Sequence, residues 1–261
     1  MTIQVSLEEL VKAGAHFGHQ SRRWNPKMGQ YIYAVKDGVH VFNLEETKRL
    51  IIEACEFLKE ASKNGKKIIF LGTKKQAKQL VTEIAKETNS YYVNERWLGG
   101  TLTNFDQIKK STSKLTDLKE KLASGFYANY TKKERLLLDR EVQRLERFFG
   151  GLVGIDKTPE VLVIIDVKRE IGAAKEAKAK GIDTIALVDS NSDPTVVDYP
   201  IPMNDDATKA IAYVLGLMKE AILEGRKVTG TQSTVVKKIV KKEKKEKTEE
   251  IKKSKIKEQK K

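Results

Sequence analysis

The sequence predicts an α/β fold: a Rossmann-like parallel sheet flanked by helices, with an inserted antiparallel coiled-coil helical hairpin and a disordered basic tail. Three observations predict it. Short apolar runs such as KIIFL (67–71) and VLVIID (161–166) alternate with helical patterns, as strands buried on both faces of a parallel sheet require. Two helical patterns with heptad-like spacing interrupt that alternation. Beyond Val228 the composition collapses to Lys, Glu, Thr and Ser, too polar to bury a core.

The elements follow in order. Ser6 and Glu9 form a capping box that opens a short helix through Ala13. A non-periodic segment, GAHFGHQSRRWNPKM (14–28), comes next. Tyr31 to Val35 and Val39 to Phe42 read as two strands around the turn Asp37-Gly38. Asn43 and Glu46 cap a helix with Leu44, Thr47, Ile51, Ala54, Cys55 and Leu58 at helical spacing, ended by Gly65. After the strand 67–71, Gly72 turns the chain, and Thr73 with Gln76 caps a helix to about Thr88. Tyr91 to Val93 is the next strand.

Asn104 to Ala123 then carries Phe105, Ile108, Leu115, Leu118 and Leu122 on one helical stripe. Thr131 and Glu134 make a second capping box, followed by Leu138, Val142, Leu145 and Phe149. Two helices of similar length joined by a short loop form a hairpin. The sheet pattern resumes with the strand 161–166, a helix from Ile171 to Lys180 ended by Gly181, and a strand from Thr184 to Val188. Pro200 and Pro202 mark an irregular return. Asn204 to Asp206 caps a last helix, Ala207 to Glu224, with Gly225 behind it. The expected division is therefore an α/β domain of 1–103 and 150–227, a hairpin of 104–149, and a tail of 228–261.

Lys plus Arg number 50 against 36 Asp plus Glu, a net charge of +14. The tail carries +8 of it, so the folded body is basic as well. Such a balance points to polyanions. A single cysteine, Cys55, precludes an internal disulfide and reads as a core residue. The N-terminus has neither the basic nor the apolar region of a signal peptide, and no run approaches a membrane span. The expectation is a soluble, cytoplasmic protein with no membrane partner.

Enzyme signatures are missing. The turn Gly72-Thr73-Lys74-Lys75 is not G-x-G-x-x-G, no G-x-x-x-x-G-K-[ST] occurs, and Ser190 and Ser192 lack a nucleophile-elbow context. No catalytic residue is assigned. Asp189 with Asp193, and Asp205 with Asp206, follow strands; with His16 or His19 they make a candidate zinc or magnesium site. The favoured reading is structural: Asp205 as a helix N-cap, Asp189 as a turn residue, His16 as a packed loop residue. No cofactor is assigned. The enzyme alternative, a metal- or nucleotide-binding protein, would use that region.

Two loops suit RNA. In the first, Arg22, Arg23 and Lys27 flank Trp24, Asn25 and Pro26, pairing cations for phosphate with a ring for stacking. In the second, Arg96-Trp97-Leu98-Gly99-Gly100-Thr101-Leu102-Thr103-Asn104, paired glycines let backbone approach a phosphate, and Thr103 and Asn104 offer neutral hydrogen bonds. Lys74-Lys75 is placed at a helix N-terminus, an anion-binding position. Lys109-Lys110 and Lys132-Lys133 lie on the hairpin.

GAHFGHQSRRWNPKM, FLGTKKQA, RWLGGTLTNF, VDSNSDP and IPMNDDA, in that order, resemble the bacterial small-subunit ribosomal protein number two across about Ile3 to Lys227. The resemblance implies an α/β domain with a protruding coiled-coil hairpin. It also implies assembly with small-subunit ribosomal RNA and neighbouring small-subunit proteins. In many bacteria the family helps dock the messenger-binding ribosomal protein number one, so a protein-docking platform is the companion alternative.

Overall fold

A computed structural model describes residues 4–227. The expectations for the tail of 228–261 lie outside the described residues. Eight strands are described: β1 (Phe17–Gln20), β2 (Ile32–Lys36), β3 (Val39–Phe42), β4 (Ile68–Leu71), β5 (Tyr91–Val93), β6 (Val161–Ile165), β7 (Asp183–Val188) and β8 (Tyr199–Pro202). The helices are α1 (Leu7–Lys12), α2 (Leu44–Lys63), α3 (Lys78–Glu87), α4 (Phe105–Ala123), α5 (Lys132–Phe149), α6 (Ile171–Lys180) and α7 (208–227).

The larger sheet is parallel throughout, in the order β5-β4-β6-β7-β8. Its alternate residues build two cores, because successive side chains on a strand point to opposite faces. Ile68, Phe70, Val161, Val163, Ile185 and Leu187 face α2, α3 and α7. Ile69, Leu71, Leu162, Ile164, Ala186 and Val188 face α6, Phe42, Met28 and Leu102. Burial on both sides is why these strands are unbroken apolar runs. The chain leaves β4 toward β5 on one side and returns at β6 on the other. That reversal opens a crevice beyond the carboxyl ends of the strands.

Local chemistry explains most boundaries. Ser6 accepts from Glu9 N–H at the start of α1, and Asn43 accepts from Glu45 N–H at the start of α2. Both halves of the Thr131–Glu134 capping box form at α5. Gly181 takes the left-handed conformation (φ 64°) that closes α6. Cys55 is fully buried, and its thiol is pushed up to about 12 by burial, as a core residue should be. Helices α4 and α5 pack Leu115 and Leu118 against Leu145, with Leu138, Val142 and Phe149 alongside. Lys114 bridges to Glu141 across the pair (3.1 Å).

Five expectations are corrected. The segment after Gly14 contains a strand, β1, which pairs with β3 in a three-stranded antiparallel sheet of order β1-β3-β2. Helix α3 starts at Lys78, not at Thr73, because the Thr73 hydroxyl is spent on Glu170. Pro200 and Pro202 lie within β8, an edge strand, where proline's missing N–H faces no partner. Asp205 does not cap α7; Asn204 accepts from the Asp206 and Ala207 N–H groups instead. Gly225 lies inside α7, where a Cβ would sit 2.3 Å from the Lys59 carbonyl oxygen: it permits close helix crossing rather than ending a helix.

Candidate nucleic-acid interface

The three-stranded sheet docks on the carboxyl ends of the parallel strands. Gly18 lies against Ser190, where a Cβ would come within 2.8 Å of the hydroxyl oxygen. The neighbouring His19 N–H donates to Ser190 Oγ (2.8 Å), and Asn25 N–H donates to the Ser190 carbonyl (2.9 Å). Asn204 grips the other side, donating from its backbone N–H to the Ala15 carbonyl and from its side chain to the Gly14 carbonyl. Ser190, fully buried, is therefore a docking residue.

Beneath the docked sheet lies an ionic cluster. The Lys74 ammonium contacts Asp205 (2.6 Å), Asp206 (2.6 Å) and Asp166 (3.1 Å). Burial alone would lower its pKa, but the carboxylates override this and hold it well above the ordinary lysine value. Burial, with Asp166 and Asp189 close by, pushes the Asp205 carboxyl up to about 7. His19 Nδ1 lies 2.9 Å from Asp189 Oδ1, and that hydrogen bond, outweighing burial, raises the imidazole above 6.5. Lys74 is thus an internal ion-pair residue set before α3, not a cation at a helix N-terminus; Lys75 beside it is exposed. His16 does not join the cluster. Its ring lies tilted against that of Phe17, centroids 4.0 Å apart, and burial lowers its pKa. Among the described residues no group of three or more His, Cys, Asp or Glu is placed to hold a metal ion. An ammonium sits where the zinc or magnesium reading needed a metal.

The first arginine loop rests on this base. A 3-10 turn, Ser21–Arg23, presents Arg22 and Arg23 to solvent. Arg22 Nε donates to Gln20 (2.9 Å), and Arg23 has no ion pair among the described residues. Trp24 is 39% exposed, its ring 5.2 Å from that of buried His40. Neither His40 nitrogen has a hydrogen-bond partner among the described residues. Asn25 caps the next 3-10 turn, Pro26–Tyr31, by accepting from Lys27 N–H. Lys27 is pinned to Asp193 (2.6 Å) and Thr195 (3.1 Å). Lys27 and the Thr195 groups override burial and bring the Asp193 carboxyl down to about 2.

The second loop is built differently. Glu176, from α6, gathers it: one carboxylate oxygen accepts from the N–H groups of Leu102 (2.9 Å) and Thr103 (2.8 Å) and from the Thr103 hydroxyl (2.8 Å). The other accepts from Trp97 Nε1 (2.9 Å). These donors outweigh burial and hold Glu176 below the usual carboxylate range. Trp97 packs into the core and the Thr103 hydroxyl is engaged internally. Gly100 takes φ 92°, where a side chain is strained. Arg96, Gly99 and Asn104 stay exposed. On the hairpin, Lys109, Lys110, Lys132 and Lys133 are exposed.

A family model, Ribosomal protein S2, matches residues 10–225. The chain belongs to the ribosomal protein S2 family. It is 47% identical to "Small ribosomal subunit protein uS2c" of Mesostigma viride over 86% of this chain and 98% of that one. It is 45% identical to uS2 of a Picosynechococcus (85% and 87% covered) and 46% identical to uS2 of a Synechocystis (85% and 82%). S2 is a structural ribosomal family, not an enzyme family. Among the described residues, no helix of this S2 family member is long and apolar enough to cross a membrane.

The residues of this S2 chain that sequence reasoning missed are Glu176 and Ser190 as a docking point. Glu176 had a faint signal, as the single acid in IGAAKEAKAK. Its partners lie more than seventy positions away, and no spacing rule reaches that far.

Proposed function

We propose that this protein is a structural constituent of the small ribosomal subunit that binds ribosomal RNA and sits among other small-subunit proteins, in the cytoplasm. Its RNA contacts are Arg22, Arg23, Trp24 and Asn25 in the first loop and Arg96, Gly99, Gly100 and Asn104 in the second. Lys75, Lys109, Lys110, Lys132 and Lys133 add phosphate neutralisation. Lys27, Trp97 and Thr103 serve by holding the loops, and Lys74 by neutralising the aspartates beneath the docked sheet. One observation carries this reading: two exposed arginines stand beside a partly exposed Trp24 on a base anchored through His19, Asn25 and Lys27. Guanidinium groups neutralise phosphate and the indole offers a stacking face.

The test is binding of the full chain to small-subunit ribosomal RNA across a salt series. Arg22→Ala with Arg23→Ala is expected to reduce the slope of log K against log salt by about 2, near the counterion release of two phosphates. An unchanged slope would remove the loop from the interface. A second reading has its own support: the hairpin leaves Phe126, Tyr130, Leu136 and Leu137 largely exposed, a surface for docking the messenger-binding ribosomal protein number one.

A further inference from the structure

We propose that the crevice beyond the carboxyl ends of β5, β4 and β6 is a phosphate-binding site in which Arg96 and Arg169 clamp one phosphodiester of the RNA strand. The site rests on the RNA-binding reading above and adds Arg169, which no sequence motif singled out.

The crevice holds about 460 Å³ and is walled by the segments that follow all three strands: Arg96 and Trp97 after β5, Thr73 after β4, Arg169, Glu170 and Gly172 after β6. It therefore lies at the reversal point of the sheet, where open parallel sheets bind ligands. Its volume falls in the range of small-ligand sites. A Cβ built on Gly172 would meet nothing within 4 Å, so the space above it is open.

Charge decides the ligand. Three glutamates border the crevice, and each is already engaged. Glu95 is held by Lys78 (3.0 Å) and Arg147 (2.9 Å). Glu176 is saturated by Trp97, Leu102 and Thr103. Glu170 accepts from the Thr73 hydroxyl, and burial raises its pKa above the ordinary glutamate value. Neither arginine makes a close ion pair among the described residues. Arg96 has no ion pair among the described residues, and Arg169 has only a long one, from Nε to Glu170 at 3.9 Å. Both side chains are exposed. Each is nevertheless on a fixed stem. Arg96 adjoins the anchored Trp97. Arg169 N–H donates to Asp166 Oδ1 (3.0 Å), and Asp166 itself is held at φ 70°. Two exposed guanidinium forks lining an open crevice, one unpaired among the described residues and one held only by a long contact to Glu170, match the planar, bidentate demand of a phosphate group.

The test uses the full chain and small-subunit ribosomal RNA over graded salt, with Arg96→Ala, Arg169→Ala, Arg169→Lys and the Arg22→Ala/Arg23→Ala pair. Arg96→Ala and Arg169→Ala are each expected to lower the slope of log K against log salt by roughly 1, and Arg169→Lys to retain it, since the readout counts phosphate charge. Wild-type slopes in both alanine variants, with a reduced slope in the Arg22/Arg23 pair, would overturn the clamp and leave the first loop's role standing. Wild-type slopes in all of them would overturn the RNA reading itself. A parallel titration with adenosine monophosphate distinguishes a free nucleotide from an RNA strand. Saturable binding lost in Arg169→Ala, without any change in RNA slope, would also overturn the phosphodiester clamp.

Discussion

The two tryptophan loops look alike in sequence and end differently. Arg23-Trp24 and Arg96-Trp97 each place a guanidinium beside an indole, with small or polar residues following. Trp24 stays 39% exposed, covering an unpartnered His40. Trp97 turns inward and donates to Glu176. The first loop is held from below, by Ser190 and Asp193, which bind its backbone and its lysine and leave the arginines and the ring to solvent. The second is held through its own functional groups. The comparison teaches that an Arg-Trp pair reports a binding surface only when the anchoring falls on other atoms.

Glu176→Ala should break the second loop outright. Four donors on Trp97, Leu102 and Thr103 would lose their acceptor; the Trp97 and Leu102 donors are part-buried, and each left unmet costs about 1–2 kcal/mol, while the exposed Thr103 donors can turn to water. The expected loss is about 3 kcal/mol in urea unfolding, and a loss below about 1 kcal/mol would mean water replaces the carboxylate.

The next largest effect separates the indoles. Trp24→Ala is expected to weaken RNA binding about tenfold, the worth of one stacked base, while shifting stability by less than about 1 kcal/mol. Trp97→Ala should do the reverse, lowering stability first. Equal effects of both variants on RNA affinity would erase the distinction between the loops.

The smallest effect concerns pH at the base of the first loop. His19 is raised above 6.5 by its bond to Asp189, so its stabilising contribution is complete below 6.5 and is lost as pH climbs through the raised value. Asp205, lifted from 3.8 to about 7, acts in the same direction, its contribution complete below 3.8 and lost as pH rises to about 7. The thermal midpoint is therefore expected to fall between mildly acidic and mildly alkaline pH, and His19→Gln should flatten the upper part of that fall. A midpoint that rises over this window would contradict the assigned directions.

Much of the fold was legible because period and capping are local. The runs 68–71 and 161–165 declared buried strands, Thr131 and Glu134 declared the start of α5, and Gly181 the end of α6. Strand β1 was not legible, since FGHQ has no alternation of its own and becomes a strand only by pairing with β3. Nor was the start of α3, because Thr73 finds Glu170 rather than its own helix. Of the candidate site, residue types and loop positions could be read in advance. Which cations are free could not.

The chain by itself determined where most strands and helices and the hairpin lie, and that the body carries excess positive charge, because those properties depend on near neighbours and on composition. Only the tertiary structure decided that Lys74 is spent on Asp166, Asp205 and Asp206 and Trp97 on Glu176, while Arg22, Arg23 and Arg96 stay exposed without an ion pair among the described residues and Arg169 keeps only a long contact to Glu170. A charge is neutralised by whatever the fold brings within about 4 Å of it, and chain separation says nothing of that distance.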